Sequence, residues 1–376
     1  MTAVSEDAVR EALSTVLDPE IRRPITDLDM VRSVDVQDGN VAVGIDLTTQ
    51  GCPLRNTISN DIEEAVGKID GTKSVSVDFG VMTDEQRKNL QTKLRGGVPE
   101  AVIPFSQPGS LTRVYAITSG KGGVGKSTMT ANLALAMAKS GLRVGIVDAD
   151  IYGHSIPAML GVTQPPTRVE DMIMPPVAQG IKVISIGMFT QGNTPVVWRG
   201  PMMHRALQQF LADVYWGDLD ALLLDLPPGT GDVAISVAQL LPNSEIVVIT
   251  TPQQAAAQVA ERAGAMAAQT NQKVIGVIEN MSHLELPDGT KMELFGSGGG
   301  EKVASELTNI LGYEVPVLAK VPLEQELREQ GDAGVPLAGT ESESPAATTI
   351  REVATKLSHR ARGLAGRSLG LSPINN

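Results

Sequence analysis

Gly120-Lys121-Gly122-Gly123-Val124-Gly125-Lys126-Ser127 is the stretch on which the reading of this chain turns. It fills every fixed position of the pattern Gly-x-x-x-x-Gly-Lys-[Ser/Thr], a loop that cradles phosphates. An unbroken apolar run at 114–117 precedes it, and the Ala- and Leu-rich run 131–138, a strong helix former, follows. Four glycines let the backbone turn its N–H groups inward, and the helix N-terminus adds fixed positive potential. Lys126 then reaches the β- and γ-phosphates of ATP, while the Ser127 hydroxyl coordinates Mg²⁺, with Thr128 beside it in the first helical turn. A Gly-rich strand-to-helix turn that binds nothing is the bland alternative, and the flanking strand and helix speak against it.

Outward from the loop, short apolar runs alternate with helix-length segments, at 144–147, 183–186, 221–224, 246–249, 274–278 and 315–318. Most pass without polar interruption, as strands buried on both faces do. The expected fold is therefore α/β, a P-loop NTPase with a mostly parallel sheet flanked by helices. Two of these runs end in carboxylates, Asp148 with Asp150, and Asp225. Strand ends of such sheets face the ligand crevice. Asp225 is the expected second holder of the Mg²⁺ shell, and Asp150 the residue that orients the attacking water with Asp148 as its helper. Capping of the following helix is the structural alternative for each. The loop from Pro227 to Asp232 is placed to sense the γ-phosphate.

The 376 residues carry 42% hydrophobic side chains and only 3% aromatic ones, so aliphatic residues fill the core. Residues 1–94 read as a separate small α/β domain. Val9, Ala12, Leu13, Val16 and Leu17 have helical spacing up to Asp18-Pro19, and two strands, 31–36 and 41–47, meet at Asp38-Gly39. A helix containing Ile58, Ile62 and Val66 and a strand at 74–79 follow. Glycine and proline mark 95–112 as a linker. The ATPase domain is expected at 113–340, and a C-terminal helix and tail at 341–376, the helix near 349–359.

The net charge of −12, from 31 basic and 43 acidic residues, argues against a nucleic-acid surface. A basic group at Arg351, Lys356, Arg360, Arg362 and Arg367 reads as a solvated last helix. No leader and no membrane-length apolar run is evident, and the single cysteine, Cys52, excludes an intrachain disulfide. A cytoplasmic protein without membrane or nucleic-acid partners is expected.

Lys121-Gly-Gly-Val-Gly-Lys-Ser127 resembles the deviant loop of the MinD, ParA and nitrogenase iron-protein class. In that class the extra lysine reaches the nucleotide of a partner subunit, so the resemblance implies that Lys121 is catalytic across an ATP-bound homodimer. Without it, Lys121 is only a cation near phosphates. Asn280 resembles the adenine-contacting asparagine of the class, or is an ordinary strand-end residue. Further stretches narrow the likeness: 148–153 (Asp-Ala-Asp-Ile-Tyr-Gly), 198–202 (Trp-Arg-Gly-Pro-Met), 225–232 (Asp-Leu-Pro-Pro-Gly-Thr-Gly-Asp), 279–282 (Glu-Asn-Met-Ser) and 295–301 (Phe-Gly-Ser-Gly-Gly-Gly-Glu). Together they resemble the Mrp-type (ApbC) iron–sulfur cluster carrier ATPases. Asp18-Pro19-Glu20 and Gly51-Cys52-Pro53 resemble motifs of the assembly domain often fused to them. The resemblance implies an ATPase that delivers clusters to apoproteins, together with assembly proteins as partners.

Two departures stand out. The family carries Cys-x-x-Cys between 282 and 295, where this chain reads His283-Leu284-Glu285-Leu286-Pro287-Asp288-Gly289-Thr290. His154 replaces a proline common in the family. A cluster usually takes four thiolates, and a homodimer of this chain offers two. Cys52 is thus either a ligand for a labile cluster or a small buried hydrophobe. His283 and Glu285 are borderline ligands or plain loop residues. An adaptor that keeps the ATP switch without a cluster and a MinD- or ParA-like positioning ATPase stand as alternatives.

Overall fold

The computed structural model describes residues 4–49, 54–94, 102–107, 109–150, 153, 155–189, 200–229, 231–253, 256–286 and 288–359. Cys52, His154, Trp198, Arg199, Thr230 and the basic residues Arg360, Arg362 and Arg367 lie outside them, as do 95–101 and 108 of the expected linker. The chain forms two compact units.

The first unit begins with α1 (Glu6–Leu13), β1 (Val31–Gln37), β2 (Asn40–Leu47), α2 (Arg55–Gly67), β3 (Ser74–Val81) and α3 (Asp84–Leu94). β1 and β2 are antiparallel across Asp38-Gly39, and β3 runs parallel to β2. α1 stops four residues short of the expected end at Leu17. The hydroxyls of Ser14 and Thr15 donate to the carbonyls of Glu11 and Ala12, which terminates the helix from within. Leu17 is consequently exposed, while Val16 stays in the core.

In the second unit β4 (Arg113–Ser119) leads through the glycine loop into α4 (Lys126–Lys139), followed by β5 (Val144–Asp148) and α5 (Ile156–Met159). The chain then forms a short hairpin of β6 (Thr167–Val169) and β7 (Met172–Met174), which belongs to the first unit. It returns as β8 (Val177–Ala178), β9 (Ile181–Ser185) and α6 (Gly200–Ala212). A second excursion, Asp213–Gly217, again belongs to the first unit. Val169, Met172, Met174 and Tyr215 share one core with Val9, Leu13, Ile45 and Ile62. Arg87 pairs with Glu170 at 3.0 Å on the same unit. The expected first domain, 1–94, thus omits two segments that fill the first unit's core and that the expected range 113–340 takes in, because nothing in their composition separates them from their flanks.

β10 (Ala221–Asp225), α7 (Asp232–Leu240), β11 (Glu245–Thr250), α8 (Ala256–Thr270) and β12 (Lys273–Asn280) continue the second unit. A hairpin of β13 (Leu284–Glu285) and β14 (Lys291–Met292), then α9 (Gly299–Leu311), β15 (Val317–Val321), α10 (Gln325–Asp332) and α11 (Pro345–His359) complete it. The sheet order is β15-β12-β11-β4-β10-β5-β9-β8, parallel except for β8. The strand expected at 315–318 lies two residues later, since Pro316 gives its carbonyl to Val277 at the sheet entrance. β4 stands between β11 and β10, so the loop that leaves it opens at the centre of the sheet's C-terminal edge.

α11 corrects the reading of a solvated last helix. Ala346, Ala347, Ile350, Val353, Ala354 and Leu357 are buried against α4 and β15. Its polar side is engaged too, for Arg351 donates to the carbonyls of Ala338, Thr340 and Ser342. The first two of these alanines bury as well as larger residues would, which hides the helix's apolar face from a count of large side chains. Phe105, inside the expected linker, is also buried. Among the described residues no helix is long and apolar enough to cross a membrane. Leu357→Ala is expected to destabilise the protein by about 2–5 kcal/mol, seen as a lower midpoint of urea unfolding by circular dichroism. An unchanged midpoint would return α11 to the surface.

Candidate active site

The phosphate loop is held from three sides. Gly125 enters α4 at a φ of 79°, a left-handed conformation that suits glycine. A Cβ there would also collide with the Asn280 side-chain nitrogen. Gly120 is needed for a different reason, since a Cβ on it would lie 2.7 Å from the Val259 Cα of α8. Asn280, ending β12, donates from Nδ2 to the Val124 carbonyl at 2.9 Å. Arg262 of α8 donates to the Gly120 carbonyl at 3.1 Å, and Ser119 Oγ to that of Lys121 at 3.0 Å. The structure therefore gives Asn280 a bracing contact with the loop, which the sequence reading of it as an adenine contact did not foresee. Lys121 is half-buried, and its ammonium meets the Gln253 side chain.

Strand register brings the acidic residues to one edge. Asp225 stands opposite Ile117 on β4 and opposite Asp148 on β5. Its side chain is fully buried, and its Oδ2 accepts from Ser127 Oγ at 2.6 Å and from Lys126 Nζ at 2.7 Å. Oδ1 accepts from Thr130 Oγ1 at 2.7 Å. Lys126, itself buried, lies 3.6 Å from Asp150 Oδ2. Its ammonium thus sits between two carboxylates. The Ser127 hydroxyl spends its hydrogen on Asp225 and accepts from Lys126 Nζ at 3.3 Å, a contact that a hard cation at its oxygen would replace. An all-oxygen donor set of this kind fits Mg²⁺, with Ser127 as ligand and Asp225 as the acceptor that holds it.

Asp148 is fully buried at the end of β5. It accepts from Ser185 Oγ at 3.0 Å and from the Asp150 backbone N–H at 3.2 Å. Burial first, then repulsion by Asp225, push its carboxyl up to about 7, against those two hydrogen bonds and the charge of Lys126. The group behind Asp150 is thus a neighbour that favours its neutral form. Asp150 itself faces a cavity of about 520 Å³, which Gly200, Met203, Pro227, Pro228 and Asp232 also line. The Gly229 N–H donates to the Ser119 carbonyl at 2.8 Å, clipping the loop after Asp225 to the strand that carries the phosphate loop.

The sequence reading missed Thr130, Ser185, Gln253 and Arg262. Thr130 alone had a local signal, standing four residues after Lys126 on the same helical face. The other three reach the site only through the fold. Where the family carries Cys-x-x-Cys, β13 and β14 pair Leu284 with Met292 and Glu285 with Lys291. The turn is closed by the Leu286 N–H on the Thr290 carbonyl. His283 Nδ1 lies 2.9 Å from Ser282 Oγ and so is occupied locally. Among the described residues no group of three or more His, Cys, Asp or Glu side chains can hold a metal ion. His283 and Glu285 are thus not brought into a ligand set.

Residues 110–358 match the family described as the NUBPL iron-transfer P-loop NTPase. The chain belongs to that family. Residues 6–79 of this iron-transfer NTPase match a second family, the iron-sulfur cluster assembly protein. The chain is similar over almost its whole length to proteins named iron-sulfur cluster carrier protein. That of Mycobacterium tuberculosis (strain H37Rv) is 61% identical over 97% of this chain and 96% of its own. That of Synechocystis is 39% identical over 94% and 97%. A solved nucleotide-binding protein from Archaeoglobus fulgidus, in complex with ADP, is 37% identical, with a TM-score of 0.51 over 61% of this chain and 92% of its own.

The raised carboxyl of Asp148 has a consequence for stability. Below pH 3.8 the group is protonated in both folded and unfolded chains and carries no penalty. As the pH rises from there to the folded value near 7, only the unfolded chain ionises, so stability falls until the folded carboxyl ionises too. In nucleotide- and metal-free protein, Asp148→Asn is expected to remove this decline, amounting to a few kcal/mol between pH 4 and 8. Urea midpoints at both pH values measure it. A decline as steep in the variant as in wild type would assign it elsewhere.

Proposed function

We propose that this NTPase is an ATP-hydrolysing carrier and assembly factor that delivers iron–sulfur clusters to apoproteins. The observation that carries its chemistry is the shared carboxylate of Asp225, which fixes Lys126 and Ser127 at the mouth of the glycine loop. ATP phosphates lie against the N–H groups of Gly120 to Ser127, with Thr128 in the first turn of α4 and Lys126 turned from the carboxylates to the β- and γ-oxygens. Ser127 and Asp225 would hold Mg²⁺, which would neutralise charge on the phosphates. Asp150 accepts a hydrogen bond from the attacking water, and Asp148 fixes the Asp150 backbone from behind. Asn280 keeps Oδ1 for the adenine amino group while its Nδ2 holds the loop. Lys121, on the surface, crosses to the nucleotide of a second copy.

The cluster is cargo in this scheme, and Cys52 is its one thiolate per chain. Two copies bring two thiolates, half the usual complement. The carried cluster is therefore labile and completed by outside ligands, whether a small thiol or the recipient protein. The hairpin at 284–292 favours one second reading, an ATP-switched adaptor that brings assembly proteins together without holding iron. A membrane-positioning ATPase is disfavoured, since the apolar face of α11 is spent on the core.

Asp150→Ala is expected to bind ATP as wild type does while turnover falls by about a hundredfold or more. It should accumulate an ATP-bound dimer in light scattering, and Lys121→Ala should fail to form one. Turnover at the wild-type rate by the Asp150 variant removes that residue from the chemistry. The carrier reading is tested by anaerobic reconstitution with iron and sulfide. Substoichiometric, labile cluster absorbance is expected in wild type and none in Cys52→Ser, with ATP hydrolysis intact in both. No cluster in either protein leaves the adaptor.

A further inference from the structure

Among the described residues Asp225 is the only side chain that touches both Lys126 and Ser127, so its orientation sets theirs. Two of its contacts lie on Oδ2, and a carboxylate held through one oxygen can still swing about its last torsion. Its other oxygen is held by Thr130. That threonine is fully buried in the second turn of α4, with its hydroxyl 2.7 Å from Oδ1 and 3.0 Å from the Lys126 carbonyl. A hydroxyl has one hydrogen to give. The shorter, charge-assisted contact takes it, and the carbonyl of the preceding turn is left as the weaker, competing acceptor. No other described side chain donates to Oδ1.

We propose that Thr130 is a positioning residue for the cation site. It clamps the far oxygen of Asp225 so that the near oxygen stays on the Ser127 hydrogen, which keeps the oxygen of that hydroxyl turned outward for Mg²⁺ to take over from Lys126. This rests on the assignment of Ser127 and Asp225 to the cation, and it adds a residue that touches neither nucleotide nor metal. Valine has the shape of threonine, so it fills the same buried space while deleting the clamp, and serine preserves the clamp while deleting the methyl.

The experiment is isothermal titration of ADP into wild type, Thr130→Val and Thr130→Ser, in EDTA and at increasing Mg²⁺, with circular dichroism melts to confirm folding. In EDTA the valine variant should match wild type within about twofold, because the loop amides and Lys126 are unaltered. The Mg²⁺ concentration needed for half-maximal tightening should rise about tenfold or more, the effect of losing a hydrogen bond to a buried charge. Serine should restore it. A valine variant with the wild-type Mg²⁺ requirement overturns the proposal, as does a serine variant no better than valine. Loss of ADP binding in EDTA overturns it too, by showing a merely structural role. Wild type that ignores Mg²⁺ instead sinks the assignment of the cation site itself, so the two failures are told apart by the control.

Discussion

The buried ion pair of Lys126 and Asp225 ties the helix that follows one central strand to the end of the next. A carboxylate in such a place is costly unless the protein meets both its charge and its lone pairs. Here a lysine, a serine and a threonine, all from the first two turns of α4, supply that in full. The same lysine is the cation that phosphates would take, so the pair is also an exchange site, with one charge balanced by Asp225 or shared with incoming oxygens. The registers of β10 with β4 and β5 matter because they bring the carboxylate within reach. A slip of one residue would send it to the opposite face of the sheet.

Rigidity around that pair is assembled from distant chain. Asn280 comes from β12, Arg262 and Val259 from α8, and Gly229 from the loop after β10. Asn132, buried in α4, donates to the Thr128 carbonyl and accepts from the Ala338 N–H, so the C-terminal part of the unit is bonded to the phosphate-loop helix. α11 then packs on α4 from outside. A helix that looks like an appendage in the sequence is one wall of the site's support.

What could be read from the sequence divides along a physical line. The glycine loop, its flanking strand and helix, and the carboxylates Asp148, Asp150 and Asp225 are local signals, each fixed by residues within a few positions of it. The α11 face escaped because Ala346 and Ala347 bury through closeness rather than size. The true end of α1 escaped because two hydroxyls, not Asp18-Pro19, close it. Asn280 is legible as a site residue, but the hold of its amide nitrogen on the Val124 carbonyl is not. Thr130 escaped since its partner, Asp225, is remote in sequence, and only the register joins them. The loss of Cys-x-x-Cys was plain from the letters. That a closed hairpin stands in its place needed coordinates.

The two excursions that place Val169, Met172, Met174 and Tyr215 in the first unit's core bear on how the chain is made. A ribosome releases residues in order, yet this core lacks its last side chains until the stretch ending at Gly217 has emerged. The first unit can collapse early around β1–β3, but it cannot finish before the strands β4, β5 and β9 of the second have been synthesised. Vectorial folding, one domain sealed before the next begins, is therefore closed to this chain. A gene cut after residue 101 would leave the first unit with a gap in its interior.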